Sequence, residues 1–440
     1  MKATIIKKAL ATLLLLCATG PIQAQEFVRE VVNHKDSYSI VREINEKTWL
    51  VSNFHNGECV FTKIEDLNPI TDQLYLNTFV GWDSSRVNDF VIFRDTVYFC
   101  GTIWFENDYQ SAFWGYFPLA GFPNVPVKYT GPSFVSLNQI QVFSVDSSDD
   151  LHVVMVGEKW GLERNIGAVV EEMRISPYLF EEHYSFIYED TNYFTDVIQT
   201  DSFIVVSSIK GTSFNMNSTY GRLLSIKKPV SPHISVFSNG GLSWKVKNVY
   251  SSILLAECEG NAFASAYKSL GGSILAVSGY VNGFQHYASV HLMTDRFNGL
   301  KDMSYSKDRK VLDILFNYGL FETTGSIIFH FDPGVLLSLP TTVPGLKYEK
   351  ELLNSLTSLH YLQSGFIASG HDKATRDLRV YRYIEYLTGK CADNIREEVS
   401  HFEFKQEIIE IEIKDKIMES YLFDWGNSPK EIPIRVKCGE

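Results

Sequence analysis

Three aspartates recur where a repeated strand begins: Asp89 in Val-Asn-Asp-Phe, Asp196 in Phe-Thr-Asp-Val and Asp313 in Val-Leu-Asp-Ile. If those strands lie innermost in a ring, the three carboxylates converge near one mouth of a central channel. Clustered carboxylates there would hold a hard cation such as calcium or accept hydrogen bonds from sugar hydroxyls. The competing reading is structural. Aspartate readily accepts hydrogen bonds from the backbone of its own turn, and repeats keep such turn chemistry for structural reasons. Nothing else in the chain calls for a resident cofactor, so calcium is the one the carboxylates bring into view.

The elements that must position these residues form a loose internal repeat. A strand-like run, a turn and a second strand ending near a small residue recur as 87–101, 140–157, 194–208, 261–279, 312–326 and 356–370. An earlier unit runs from Tyr38 to Ile64. A period of about 45 to 60 residues in an all-strand pattern points to a β-propeller, and these units count to seven blades, with six or eight as alternatives because the interval between Ser208 and Gly279 is longer than its neighbours. In the clearest unit, Val87 to Gly101 turns at Arg94-Asp95-Thr96, and Ser111 to Phe117 supplies a third strand after a polar loop. Phe27-Val-Arg-Glu-Val-Val32 suits the strand that closes the ring from the other end of the chain. Helical periodicity is confined to 351–359 and 392–399.

Domain limits follow from composition. Residues 1–24 read as a secretory signal: Lys2, Lys7 and Lys8 precede an apolar run ending at Leu16, and Gly20, Pro21 and Ala24 follow. Acylation at Cys17 is disfavoured by bulky Leu16 before it. The propeller spans 25–386. Residues 387–440 form a β-rich tail, because Phe402 to Ile413 alternates charged and apolar residues with the period of half-buried strands. The tail reads as a small appendage. No later stretch has the 18 or so apolar residues of a membrane-spanning helix. Export to the periplasm, the cell surface or the medium is the resulting expectation.

Removing the signal takes three lysines from 40 basic residues and none from 52 acidic ones, leaving a net charge of −15. Such a surface repels nucleic acid and anionic lipid. Five cysteines remain. Cys391 and Cys438 bracket the tail and could close it as a disulfide in an oxidising compartment. Buried free thiols are an equal alternative for that pair and the preferred reading for Cys59, Cys100 and Cys258.

Phe237-Ser-Asn-Gly-Gly-Leu-Ser-Trp244 resembles the Asp-box of sialidases and related propeller proteins. Asn239 stands where that motif has aspartate, Gly241 and Trp244 match, Ser243 stands for threonine, and Phe237 replaces the first serine. The resemblance covers eight residues and extends to secreted bacterial propeller proteins of unassigned function. It implies a structural hairpin lying away from any active site, and so a propeller fold rather than hydrolysis. A sialidase would also need an arginine triad, a tyrosine with a glutamate partner and an acidic proton donor; Met173-Arg-Ile-Ser-Pro177 lies too far along the chain for the usual early arginine motif.

Other candidates are weaker. His330-Phe-Asp332 and His371-Asp372 put histidine near carboxylate, but adjacent strand residues face opposite ways. Trp104, Tyr109, Trp114 and Trp160 could stack on sugars, against the commoner use of aromatics in packing between blades. Asn217-Ser-Thr219 is a formal glycosylation triplet. There is no nucleophile elbow, zinc helix, P-loop or dinucleotide fingerprint. The sequence thus points to an exported, non-enzymatic binding propeller that takes a glycan or protein at a channel mouth. A carbohydrate-active propeller enzyme and a structural subunit of an envelope complex are the alternatives.

Overall fold

The computed structural model describes strands between residues 27 and 438 and some of the turns joining them; residues 1–26 and the other connections lie outside the described residues. The expected signal, Cys17, Cys391, Tyr109, Trp160 and the glycosylation triplet fall there. All described regular structure is antiparallel strand, apart from one short 3-10 helix at Val236–Asn239. No helix among the described residues is long and apolar enough to cross a membrane.

Seven four-strand meanders can be counted among the described residues. The second is typical: Trp82–Phe93, Thr96–Phe105, Gln110–Pro118 and Val125–Tyr129 pair in order. Its first hairpin turns at Arg94 and Asp95, both at positive φ (46° and 59°), the mirror-image turn whose twist matches that of paired strands. In the seventh unit three strands, Ser355–Leu362, Gly365–His371 and Asp377–Ile384, come from the end of the repeat, and Phe27–Lys35 supplies the fourth. Phe27–Lys35 therefore closes the ring, and the architecture is that of a multi-unit, propeller-like β protein.

The second strand of each unit is buried on both faces, which explains its nearly unbroken apolar sequence. Along Thr96–Phe105, Val97, Phe99 and Ile103 pack toward the first unit with Ile40, Leu50 and Phe61. The alternating residues Tyr98 and Cys100 pack toward the third unit with Leu137, Ile140, Val153 and Met155. Phe61 meets Phe90, Phe99 and Phe117 at ring separations of 5.3, 5.6 and 5.1 Å. Each buried side chain of this size contributes ~1.5–3 kcal/mol, and the edge-on geometry adds to it. Equivalent clusters join the third to the fourth unit, the fourth to the fifth and the seventh to the first.

Several expectations from sequence change here. Residues 355–362 and 393–401 are strands, where short helices were expected at 351–359 and 392–399. The phase of the repeat also differs from the sequence pattern in two units. Runs 261–279 and 312–326 contain second and third strands; the first strands there are Leu254–Glu257 and Phe297–Ser306. Of the two true first strands, Leu254–Glu257 is only four residues long and Phe297–Ser306 is broken up by polar residues and a glycine, so neither shows an extended strand pattern. Trp114 is fully buried in the core between units, so it does not present a ring to a ligand. Cys59, Cys100 and Cys258 are buried free thiols, and burial raises Cys258 to about 12. The side chain of Cys438 and all of Cys391 lie outside what is described, as does their pairing.

Candidate functional site

The first strands of all seven units line one cavity of about 280 Å³. Its walls carry Tyr38 and Arg42, Asn88 and Asp89, Gln139 and Gln141, Asp196 and Gln199, Leu254 to Glu257, Lys301 to Tyr305, and Thr357 to His360. This is the central channel. Asp89 and Asp196 face it, as their repeat position predicts. Asp313 does not. It lies on the second strand of its unit, is 1% exposed and is absent from the cavity wall. The third channel aspartate is Asp302, on Phe297–Ser306.

A recurring β-bulge builds this wall. Pairing between first and second strands slips by one residue between Val87 and Asp89, Leu137 and Gln139, Phe194 and Asp196, Leu300 and Asp302, and Leu356 and Ser358. A bulge re-aims side chains and leaves backbone groups without a ladder partner. Here the bulged residue and its successor supply the missing partners from the side. Asn88 Nδ2 donates to the Leu137 carbonyl (2.7 Å), Asn138 Nδ2 to Phe194 (2.9 Å), Thr195 Oγ1 to Ile253 (3.2 Å) and Thr357 Oγ1 to Ser39 (2.7 Å). The next residue accepts an amide from the following unit: Asp89 from Ile140 (3.1 Å), Asp196 from Leu255 (2.7 Å), Asp302 from Leu359 (2.7 Å) and Ser358 from Val41 (3.3 Å). Asp196 and Asp302 also accept the amide of the residue after them, both at 2.8 Å.

At two of these bulges the carbonyl just before the bulge lies against the second strand, and that explains the glycine with which those two repeats end. A Cβ at Gly101 would lie 2.0 Å from the Arg86 carbonyl oxygen, and one at Gly157 would lie 2.0 Å from that of Ser136. The dipeptide at the bulge is the signal that would have found Asp302. Asn88-Asp89, Thr195-Asp196 and Lys301-Asp302 pair a polar residue with aspartate, whereas Asp313 follows buried Leu312.

The carboxylates are poor in solvent and close enough to feel one another. Burial pushes Asp89 up to about 6, against the pull of Arg42, whose Nη2 lies 2.9 Å from its Oδ1. Burial likewise holds Asp196 and Asp302 above the ordinary carboxylate range, and Asp196 is raised further by the charges of the other two. His360 is driven down to about 3, first by burial and then by Arg42, so it is neutral at physiological pH. At the rim Lys307 Nζ lies 2.6 Å from Glu257. Among the described residues, no group of three His, Cys, Asp or Glu side chains is arranged to hold a metal ion.

Not every channel residue is spent on the scaffold. Gln139 occupies in the third unit the position that aspartate or serine holds in four others, and Gln141 follows it on the same face. Among the described residues, none forms a hydrogen bond with the side-chain amides of Gln139 and Gln141 or with the His360 ring. The aromatic candidate Trp104 has Arg86 against its face at 5.5 Å, and the same guanidinium lies 5.3 Å from the Tyr38 ring.

A second buried polar cluster was not anticipated. His152 Nδ1 lies 2.7 Å from Glu171 Oε1, and both side chains are fully buried. Ser235 Oγ donates to Glu171 Oε2, and the Val236 amide reaches the same carboxylate at 3.1 Å. No serine–histidine bond exists in this set, so it lacks the order of a nucleophilic triad. Its work is structural: Glu171, from the third unit, caps the 3-10 helix at Val236–Asn239 in the fourth. The Asp-box-like stretch continues from that helix into the outer strand Gly241–Lys247, which includes Ser243 and Trp244. Phe237, where the motif has serine, is buried between the third and fourth units with Val236. The side chains of Asn239, Ser243 and Trp244 are outside the described residues.

No protein-family model matches this chain, and no curated protein does. Among solved structures it is similar to a phage phi92 endosialidase, with a TM-score of 0.43 and 9% identity over 87% of this chain and 70% of that one. An uncharacterized protein of Listeria monocytogenes EGD-e gives a TM-score of 0.40 and 10% identity over 81% and 97% of the two chains. A prolyl endopeptidase gives 0.36 and 7% over 82% and 51%. Scores this low say nothing about chemistry, and the channel is read from its own residues.

Proposed function

We propose that this protein is an exported, non-enzymatic binding propeller that takes the end of a glycan into its central channel. The observation that carries this reading is the division of labour on the channel wall. Asp89, Asp196 and Asp302 are engaged by backbone amides of neighbouring units, while Gln139, Gln141 and neutral His360 add uncharged hydrogen-bonding side chains to the wall, beside the cation of Lys301. Such groups suit hydroxyls, which both donate and accept. Positions where a repeat abandons its structural rule are where function is to be sought, and Gln139 is such a position.

A second reading, glycoside hydrolysis, is favoured by one observation: Asp89 titrates at about 6, near the range useful to a general acid. Against it, both Asp89 oxygens already accept hydrogen bonds, from Arg42 and from Ile140.

A glycan and polysaccharide array read for both binding and product release separates the two. Binding without release is expected. Replacing both glutamines (Gln139→Ala with Gln141→Ala) removes two neutral hydrogen-bonding groups worth ~0.5–1.5 kcal/mol each, so affinity should fall about tenfold. Sugar release, or binding indifferent to both substitutions, would overturn the proposal.

A further inference from the structure

The tail is not a separate appendage. Its five strands each join the outer edge of a sheet already built by the repeats. Asp393–His401 pairs first with Thr342–Glu349, the outer strand of the sixth unit, and its last three residues pair with Phe284–Leu292, the outer strand of the fifth. Glu407–Ile411 then pairs with Gly241–Lys247 in the fourth unit, and Asp415–Ile417 with Leu179–Tyr188 in the third. Tyr421–Trp425 pairs with Val125–Tyr129 in the second, and Ile434–Cys438 with Phe27–Lys35 in the seventh. The tail thus retraces the ring against the order in which it was laid down.

An outer strand of a propeller unit has one side of its backbone unpaired, and an unpaired edge is a template for another chain. Here the chain's own end takes that place on six of the seven units. Every pairing is antiparallel, and the tail moves to the next unit within three to five residues at each step from the fifth unit to the second. The last strand lies beside the strand that closes the ring, so the first and last described strands share one sheet, in the order 355–362, 365–371, 377–384, 27–35, 434–438.

We propose that residues 393–438 are a circumferential clasp: they lock the ring shut from outside and occupy the strand edges through which copies of this protein would otherwise associate. The clasp is independent of any ligand in the channel. Its alternating sequence serves this use, since a tail that forms no sheet of its own needs a strand pattern only to extend another sheet.

The test uses the full chain. Ile408 and Ile409 pair with Trp244 and Ser243, and adjacent residues of an edge strand point their amides to opposite sides. Replacing both (Ile408→Pro with Ile409→Pro) removes the ladder amide there whichever one carries it. In native-state hydrogen exchange the wild-type amides of 393–401 and 407–411 should be protected like those of the outer strands. The proline variant should lose protection by about tenfold or more at 241–247 and 407–411, melt at a lower temperature, and form dimers or larger species in light scattering. Unprotected tail amides in the wild type, or a proline variant that stays monomeric with unchanged melting, would overturn the proposal. Should the double variant fail to fold, Ile408→Pro and Ile409→Pro separately give the same comparison, because only one of them removes a ladder bond.

Discussion

The carboxylate of Asp89 makes a prediction that separates its charge from its shape. Its side chain is 2% exposed, and burial moves its titration from 3.8 to about 6 even with Arg42 beside it. A group whose folded pKa is raised binds its proton more tightly in the folded state. Between pH 4 and 6 the folded protein therefore holds more protons than the unfolded chain, and stability falls as pH rises through that window. The window is about two pH units wide at about 1.4 kcal/mol each, so ionising Asp89 costs ~3 kcal/mol of stability by pH 7. Asp89→Asn removes that titration. The variant carries a constant penalty, because its amide cannot accept from both Arg42 and Ile140, but it escapes the pH-dependent loss. The stability of Asp89→Asn relative to wild type should consequently rise by ~2.4 kcal/mol from pH 4 to pH 7. Urea denaturation followed by tryptophan fluorescence at half-unit pH intervals measures this difference directly. A difference that stays flat with pH, or that falls as pH rises, would refute the reasoning, because the Arg42 pair would then outweigh burial.

Two further outcomes follow from the bulges. Asp302→Ala strips the acceptor from the amides of Leu359 and Met303; at ~1–3 kcal/mol for each buried amide left unpaired, the denaturation midpoint should drop clearly, while Asp302→Asn, which keeps one acceptor oxygen, should lose less. Gly157→Ala forces a methyl to 2.0 Å from a backbone oxygen that cannot move aside without breaking the bulge. It should cost more than ~2 kcal/mol or prevent soluble expression, whereas Gly299→Ala, where the nearest atom to a Cβ is the end of a lysine chain at 3.6 Å, should fold normally.

Much of the fold was legible in the sequence because it is written in local rules. Alternating apolar residues with mirror-image turns such as Arg94-Asp95 dictate hairpins. The doubly buried middle strands announce themselves as apolar runs, and the small residues at 101 and 157 follow from a bulge that brings one backbone onto another. Phe27–Lys35 was recognisable as a closing strand because it is a strand with no partner nearby in sequence. The phase of the repeat is less legible where a first strand is very short, as in Leu254–Glu257, or interrupted by polar residues, as in Phe297–Ser306. A channel-facing strand has one face exposed to a polar cavity, so its pattern is fainter than that of the strand behind it. That is why the sequence points to Asp313 and passes over Asp302 as a channel residue.

The sequence by itself determined the class of the fold, the repeat, the burial of Cys59, Cys100 and Cys258 and the position of two channel aspartates. All of these rest on contacts between residues close along the chain or on residue type alone. Only the tertiary structure decided what those aspartates do. Their amide partners lie about one unit ahead in the sequence, and no spacing rule reveals which amide a bulge has left unpaired. It likewise decided that the tail belongs to the ring. Strand alternation specifies that a segment will pair, but a backbone edge is nearly the same in every strand, so the choice of partner rests on which edges the folded ring leaves open.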